Sequence, residues 1–216
     1  MTKKITWNIG TAGFMISQKQ WFALNILNCI EINSTFYRLP TEKSITNWNK
    51  FPDNVSKVVK VSKYITHIKR LKDCEEAWEV FWNAIKNLNN IKALLVQLPP
   101  SFKNNQTNID RIKEMKDFVG DIPLVFEFRD VSWFVEDIYK IMKSLNFTIC
   151  GVVCKKKEGN TSWLGTMPNG LTLPPTINDI TYVRVHGGRG YRGFYNKNQL
   201  RLIKEKVEDQ KSKNKF

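Results

Sequence analysis

Short apolar runs of strand length recur along the chain, and amphipathic stretches separate them. Seven of these runs are rich in β-branched and aromatic residues: ITWNIG, CIEINST, KVVKVSK, IKALLVQLP, IPLVFEF, FTICGVV and DITYVRVH. Between the third and fourth runs, apolar residues recur from Cys74 to Leu88 at the spacing of a helix with one buried face. Weaker helical patterns cover residues 41–50, 108–119, 132–145 and 196–211. This alternation predicts parallel strands joined by helical crossovers.

Two α/β architectures share that alternation. A doubly wound sheet usually has a Gly-rich turn after its first strand, and Gly10 with Gly13 matches that motif only weakly. A barrel instead distributes polar groups over the carboxyl ends of many strands, as this chain does. We therefore predict a TIM-type (β/α) barrel of about seven parallel strands, with residues 1–216 forming a single domain. The Pro- and Gly-containing stretch 155–178 is predicted to be a long loop in place of a crossover helix.

Polar residues near the strand ends predict one shared pocket. Because strand side chains alternate between faces, Glu31 and Asn33 share one face of their strand. The apolar neighbours of such pairs are expected to pack against helices: Ile30, Ile32, Phe126, Phe128, Val183 and Val185. In a barrel, polar side chains can face the interior only near its mouth. We expect eight of them to converge there: Glu31, Asn33, Lys60, Gln97, Glu127, Arg129, Arg184 and His186.

The charges of this set favour an anionic ligand. Lys60, Arg129 and Arg184 outnumber the two carboxylates, Glu31 and Glu127. Glu127 beside Arg129 should stay ionised and orient the guanidinium, because an adjacent cation lowers a carboxyl pKa. Glu31 is the better candidate for proton transfer.

His186 could also move a proton, or it could donate a hydrogen bond. The alternative is that Glu127, Arg129 and His186 have only a structural role. In that case Glu127 and Arg129 form an internal ion pair that closes the core, and His186 is a satisfied core histidine.

The segment HGGRGYRGFY follows the last predicted strand. Its glycines, including Gly187 and Gly188, allow close backbone approach, and barrels often bind phosphate in this region. The alternative is a flexible loop that needs glycine for its turns. The aromatic residues of this segment could stack on a base or simply pack: Tyr191, Phe194 and Tyr195.

Composition adds a strong positive charge. The chain has a formal net charge of +14, from 34 Lys plus Arg against 20 Asp plus Glu. Such a balance attracts polyanions, above all nucleic acid, although lysine-rich ends and loops could equally be solvated surface.

The apolar segments and the cysteines bear on cellular location and on disulfide or metal chemistry. No apolar run is long enough to cross a bilayer, and the start MTKKITWNIG lacks the apolar core of a signal peptide. We expect a cytoplasmic protein without membrane association. The cysteines are predicted to be reduced core thiols. Cys150 and Cys154 lack a second Cys or His pair at zinc spacing, so no structural zinc site is predicted.

Six motifs carry a resemblance to a known family. In order between Ile9 and Gly187 they are IGTAGF, EINSTFYRLP, KVSKYITH, LLVQLPPSF, FEFRDVSW and YVRVHG. The chain resembles the YecE-like family, domain of unknown function seventy-two, which has a TIM-barrel-like fold. The resemblance implies a barrel. It also implies a pocket that includes Glu31, Asn33, Phe36, Tyr37, Lys60, Thr66, His67, Gln97, Glu127, Arg129, Trp133, Arg184 and His186.

The chain departs from the family pattern in two places. The stretch CGVVCKKK lacks an acidic residue just after the sixth strand, and the final aromatic and Asn-rich strand is absent. We expect an incomplete barrel without its eighth strand. Two open sheet edges would invite a homodimer or a partner chain.

These observations favour an enzyme, possible classes being a hydrolase or a lyase, on a phosphate-bearing or nucleic-acid substrate. The candidate catalytic residues are Glu31, His186 and Glu127. The candidate substrate-binding residues are Asn33, Tyr37, Lys60, His67, Gln97, Arg129, Trp133, Arg184, Gly187 and Gly188.

Two other functions stay open. One is a non-catalytic nucleic-acid-binding protein, and the other is a glycoside hydrolase-like enzyme using Glu31 and Glu127, which Arg129 disfavours. The sequence names no cofactor. Having only His67 and His186, it argues against a multi-metal site but leaves a single hard cation open.

Overall fold

The computed structural model describes residues 6–154, 173–177, 180–186 and 194–213. Within them lie eight strands: β1 Gly10–Ala12, β2 Cys29–Ile32, β3 Ser56–Lys60, β4 Ile91–Gln97, β5 Leu124–Glu127, β6 Thr148–Ile149, β7 Gly151–Cys154 and β8 Val183–His186. The same residues contain six α-helices: α1 Gln18–Ala23, α2 Glu42–Asn49, α3 Glu75–Ile85, α4 Gln106–Val119, α5 Glu136–Ser144 and α6 Lys197–Lys213.

The strands form two sheets. Strands β1 to β6 follow their chain order in a six-stranded sheet, and β7 pairs with β8 in a two-stranded sheet. Pairing is parallel between β1 and β2, β2 and β3, β3 and β4, β5 and β6, and β7 and β8. The predicted α/β fold with parallel strands and intervening helices is confirmed.

The sixth predicted strand, FTICGVV, is divided into β6 and β7. Cys150 N donates to Phe126 O at 2.8 Å, whereas Gly151 N donates to Tyr182 O at 2.8 Å. The chain therefore changes its pairing partner between two adjacent residues. Gly151 suits this place, because a Cβ there would lie 2.7 Å from Leu173 Cδ2.

Local capping explains where several helices begin. The Thr41 side chain accepts from Ser44 N at the start of α2, and the Asn105 side chain accepts from Asn108 N at the start of α4. Helix α5 begins four residues later than predicted, because Val131–Trp133 forms a separate 3₁₀ turn after Asp130. The short helix α1 was not predicted.

By its contacts the chain divides into two compact units. Unit 1 comprises Met1–Lys69 with Asp73–Leu95, and unit 2 comprises Arg70–Lys72 with Val96–Phe216. Unit 1 has a core cluster that includes Trp21, Ile30, Phe51 and Val55, packed by partly buried aromatic residues such as Phe14. Strand β2 contributes Ile30 to this cluster, and β3 is buried along its whole length.

Unit 2 contains a run of stacked rings beside strand β5. Trp133 lies 4.3 Å from Phe128 and 5.5 Å from Phe102, centroid to centroid, with nearly parallel planes. Five of the six apolar residues expected to pack against helices are at least partly buried, but Val185 is 44% exposed. Val185 lies on β8 of the two-stranded sheet.

Cys29, Cys74 and Cys150 form no disulfide bond within the described part of the chain, and Cys74 and Cys150 are buried. Among the residues that the structure describes, no helix is both long enough and apolar enough to cross a membrane.

Candidate functional site

Unit 2 carries a buried carboxylate that binds two arginines. Glu127, the last residue of β5, is only 1% exposed. Its Oε1 accepts from Gln97 Nε2 at 2.7 Å and from Arg129 Nε at 2.9 Å. Its Oε2 accepts from Arg184 Nη1 at 2.5 Å. Both oxygens are therefore engaged by donors from β4, from β8 and from the chain just after β5.

These donors determine the ionisation of Glu127. Burial by itself would raise the pKa of this carboxyl group. The positive charges of Arg184 and Arg129, with the hydrogen bond from Gln97, outweigh burial and lower the pKa from 4.5 to about 2. Glu127 is thus a carboxylate at neutral pH and holds no proton to give.

Strand geometry brings these four residues together. Gln97 is the last residue of β4, and Leu98 N donates to Glu127 O at 3.0 Å, which aligns the two strand ends. Arg129 follows Glu127 by two residues and therefore points to the same side. Arg184 is the second residue of β8, opposite Val152 of β7.

The arginines give this cluster an excess of positive charge. Two guanidinium groups face one carboxylate, and the side chains of Arg129 and Arg184 are 18% and 11% exposed. An arginine has several N–H donors in a rigid planar fork, which matches the oxygens of a phosphate or carboxylate. Because Glu127 binds both side chains, the two guanidinium groups are fixed in position.

The remaining candidates of unit 2 have different surroundings. His186 is half-buried on the same strand as Arg184, and its backbone oxygen accepts from Tyr195 Oη at 2.5 Å. Trp133 is buried and donates from Nε1 to Phe102 O at 2.7 Å, so its side chain packs against the core. Gly187 and Gly188 lie outside the described residues.

Unit 1 carries a second group of polar residues at the ends of β2 and β3. Ile32 pairs with Val59, and continuing that register places Asn33 beside Lys60. Glu31 and Lys60 are both buried. Burial first, and then the negative charge of Glu31, raise the pKa of the neighbouring Cys29 thiol to about 11.

Phe36 is the centre of this second group. The Lys60 Nζ lies 4.2 Å from the centroid of the Phe36 ring, and the rings of Tyr37 and His67 meet it edge to face at 5.0 and 5.1 Å. Thr35 Oγ1 donates to Lys60 O at 2.7 Å, which ties this turn to β3. We call Asn33, Phe36, Tyr37, Lys60 and His67 the Phe36 site.

His67 is oriented by its neighbour in a π-helical turn, Tyr64–Ile68. The Thr66 hydroxyl donates to Ser62 O at 3.0 Å and lies 2.9 Å from His67 Nδ1. The contact with the Thr66 hydroxyl orients the imidazole ring of His67.

The alternation of strand residues could not have found Phe36 and Thr66, because neither lies on a strand. Only the resemblance to a family implied them.

The predicted site residues are distributed over both units. In unit 2, hydrogen bonds join Glu127 to Gln97, Arg129 and Arg184. The Phe36 site and Glu31 belong to unit 1. The convergence of all eight predicted residues at one mouth stays a prediction. In the described part of the chain, no three His, Cys, Asp or Glu side chains are placed to hold a metal ion.

Comparison with known proteins decides the family. The sequence model described as "Protein of unknown function DUF72" matches residues 19–216. The chain belongs to the DUF72 family. Its resemblance to the YecE-like domain of unknown function seventy-two is thereby confirmed.

A curated relative of this DUF72 chain is the UPF0759 protein YunF of Bacillus subtilis. The two are 27% identical over 171 residues, which is 73% of this chain and 58% of YunF. The chain thus spans a little over half the length of that relative.

Two solved structures of DUF72 proteins share the fold. The TM1631 protein of Thermotoga maritima matches 96% of this chain and 88% of its own, with a TM-score of 0.79 and 25% identity. The EF0366 protein of Enterococcus faecalis matches 88% of this chain and 80% of its own, with a TM-score of 0.72 and 21% identity. The second likeness concerns the fold alone.

Proposed function

We propose that this DUF72 protein is an enzyme acting on a phosphate-bearing or nucleic-acid substrate, whose phosphate binds to Arg129 and Arg184. The observation that supports this most directly is the ionised, buried Glu127, which binds both arginines. A carboxylate buried only for stability is usually inferior to apolar packing. A role in orienting Arg129 and Arg184 would explain why a carboxylate is present at position 127.

In this proposal Glu127 positions the arginines and does not transfer a proton. The guanidinium groups would bind phosphate oxygens and stabilise negative charge that develops during bond cleavage. His186 lies on the same strand face as Arg184 and is the candidate for proton transfer in unit 2. Glu31, in unit 1, is the other candidate for proton transfer. The reaction would be a hydrolysis or an elimination.

The ionisation of Glu127 limits the role that this residue could have in a glycoside hydrolase. Such an enzyme keeps one of its two carboxyl groups protonated as the general acid. A group whose pKa is about 2 cannot serve in that role near neutral pH. In such an enzyme Glu127 could act only as the ionised carboxylate of the two catalytic carboxyl groups, not as the general acid.

Non-catalytic nucleic-acid binding is the second candidate, favoured by the net charge of +14.

The architecture of the whole chain is also part of this proposal. The likeness to the T. maritima structure over 96% of this chain supports a common fold. On that basis we propose a single TIM-type barrel over residues 1–216. As separate expectations, we propose a cytoplasmic location and association with a second copy or a partner chain.

The first experiment is a titration of the purified chain with inorganic phosphate and pyrophosphate, followed by calorimetry at low salt. Charge-assisted hydrogen bonds contribute about 1.5–3 kcal/mol each, so Arg129→Ala or Arg184→Ala should weaken binding by roughly tenfold or more. Arg201→Ala is the matched control, because Arg201 is an exposed arginine of α6 in the same unit. It removes the same charge and should leave binding unchanged.

Equal phosphate affinity in all three variants would contradict the phosphate site. If phosphate binds through the arginines, turnover of phosphorylated substrates is then compared between the parent protein and His186→Asn. Binding without turnover of any such substrate would favour the non-catalytic candidate.

A further inference from the structure

Two exposed tyrosines distinguish the surface of unit 1. Among the residues of this unit that the structure describes, Tyr37 and Tyr64 are the only exposed aromatic residues, at 78% and 49% exposure. The other Phe, Tyr and Trp residues of the described part of the unit are buried or half-buried. Tyrosine has a polar hydroxyl on an apolar ring, and it is enriched at binding surfaces for that reason.

The two tyrosines lie on adjoining turns. Tyr37 ends a short 3₁₀ turn after β2, and Tyr64 begins the π-helical turn after β3. Strands β2 and β3 are parallel neighbours, so both turns follow the same end of the sheet. The Phe36 ring joins the turns, because it meets the Tyr37 ring at 5.0 Å and the His67 ring at 5.1 Å. Both tyrosines therefore lie at the same end of unit 1.

A cation stands beside each tyrosine in the chain. Arg38 follows Tyr37 and Lys63 precedes Tyr64, and both of these basic residues are exposed. Glu31 lies near the first turn in sequence, but it is buried. The two turns therefore present aromatic rings and positive charge without a carboxylate of their own. The stretches of chain that contain them have no Asp or Glu: residues 32–41 and 54–69.

The Tyr37 ring is held in position although it is exposed. It meets the Phe36 ring edge to face, with an interplanar angle of 89°. Thr35 Oγ1 donates at 2.7 Å to the backbone oxygen of the last β3 residue, which fixes this turn on the sheet. The other turn is closed by Lys69 N, which donates to Tyr64 O at 2.8 Å. An ordered ring loses little conformational freedom when a ligand stacks on it.

Single-stranded nucleic acid combines the two features that such a surface would bind. Its unstacked bases offer flat aromatic faces to tyrosine rings, and each base is joined through its sugar to a phosphate that a nearby cation can bind. A duplex fits less well, because its bases are already stacked on one another. An acidic peptide would contact the cations but offers no series of flat rings.

We propose that this end of unit 1 binds single-stranded nucleic acid, with bases stacked on Tyr37 and Tyr64. Arg38 and Lys63 bind phosphates of the same strand. We call these four residues the tyrosine surface. The inference narrows the nucleic-acid partner of the proposed function to a single strand, and it rests on that function in this respect alone. All four residues belong to unit 1, so the surface does not require the arginines that bind Glu127.

The first test compares three ligands of the full chain by fluorescence anisotropy at about 150 mM salt, where long-range attraction is screened. They are a labelled single strand of about 12 nucleotides, an abasic strand of the same length and a duplex of the same length. The single strand should bind about fivefold or more tightly than the abasic strand, because only the former has bases to stack. It should also bind more tightly than the duplex, whereas attraction by charge alone favours the duplex.

Stacking is tested by substitution of the tyrosines. Tyr37→Ala and Tyr64→Ala should each weaken the single strand about fivefold or more and leave the abasic strand within about twofold. Tyr37→Phe and Tyr64→Phe keep the rings and should stay within about twofold of the parent protein. Both residues are exposed, so these variants should fold, which circular dichroism checks. Ile26→Ala is the matched control, because Ile26 is 73% exposed in unit 1 and lies outside both turns.

The phosphate contacts are tested by Arg38→Gln and Lys63→Gln. A cation that binds one phosphate of a single strand contributes about 0.7 to the slope of log affinity against log salt. Each variant should therefore reduce the steepness of that slope by about 0.7, for the single strand and the abasic strand alike. Lys19→Gln, at an exposed lysine of α1, removes the same charge and should leave the slope unchanged.

Five results would overturn the inference: no binding of the single strand, equal binding of the abasic strand, tighter binding of the duplex, equal binding of a polyglutamate peptide, or unchanged affinity in both tyrosine-to-alanine variants. Phosphate binding is measured on the same samples. If phosphate binds through Arg129 and the tyrosine variants bind the strand normally, only the tyrosine surface is wrong. If strand binding requires the tyrosines and phosphate does not bind, the phosphate site of the proposed function is wrong and the tyrosine surface stands.

Discussion

Glu127 illustrates how one buried residue can organise a charged cluster. Its carboxylate is tolerated in the interior because three donors satisfy it and two of them are cations. The same contacts hold Arg129 and Arg184 in place. The same hydrogen bonds therefore fix the carboxylate and both guanidinium groups.

Glu127→Gln tests this arrangement. Near neutral pH we expect a loss of about 3–5 kcal/mol in the free energy of unfolding, because two partly buried arginines lose their counter-charge. Chemical denaturation measures the change. Glu42→Gln, at an exposed carboxylate at the start of α2, should change little. Equal stability of Glu127→Gln and the parent protein would show that the arginines do not need this carboxylate.

The pH dependence of the same variant follows from the lowered pKa. A group with a folded pKa of about 2 and an ordinary value of 4.5 stabilises the folded state fully above 4.5. That stabilisation is lost as the pH falls from about 4.5 towards 2. The difference in unfolding free energy between parent and Glu127→Gln should therefore shrink across this window.

At the scale of elements, strand β1 shows how close packing limits the choice of residue. Its first residue, Gly10, pairs with Cys29 of β2. A Cβ at Gly10 would lie 1.7 Å from the backbone oxygen of Cys29. Backbone atoms in a paired strand cannot rotate away as the end of a side chain can. Only glycine allows this approach of β1 to β2.

Gly10→Ala should therefore separate the two strands locally and reduce the free energy of unfolding by more than about 3 kcal/mol. Thermal and chemical denaturation measure the loss. Gly120→Ala is the comparison, since Gly120 has a φ of +61° but nothing within 4 Å of its added Cβ. That variant should lose about 1–3 kcal/mol, because φ +61° with ψ −131° is a strained backbone conformation for alanine. A smaller loss for Gly10→Ala than for Gly120→Ala would contradict the steric explanation.

At the scale of the whole molecule, the net charge of +14 acts on any polyanion, whatever the chemistry of the two clusters. Binding through released counterions weakens steeply with salt. We expect affinity for a short single-stranded oligonucleotide to fall by more than about tenfold between roughly 50 and 200 mM salt. Fluorescence anisotropy measures this change.

Base stacking provides the contrast, because a base that stacks on a tyrosine releases no counterions. The factor by which Tyr37→Ala weakens the oligonucleotide should change less than about twofold over the same salt range. An oligonucleotide affinity that does not respond to salt would mean that the surface charge does not drive its binding.

Much of the fold could be predicted from local pattern. The apolar spacing between Cys74 and Leu88 is a property of neighbouring residues, and the structure forms α3 Glu75–Ile85 within it. The strand runs and their alternation with helices were recognised for the same reason. Boundaries were less certain: the first predicted run, ITWNIG, only touches β1 Gly10–Ala12, because pairing with β2 decides which residues form the strand.

The sequence by itself determined the parallel α/β order, the family, and the placement of Glu127 and Arg129 on one face, since each depends on residues close in the chain. Only the tertiary structure decided that Glu127 also binds Gln97 and Arg184, which lie 30 and 57 residues away. It also buried Trp133 and brought His67 against Phe36. Such contacts depend on which strands and turns become neighbours in space, and that information is spread over the whole chain.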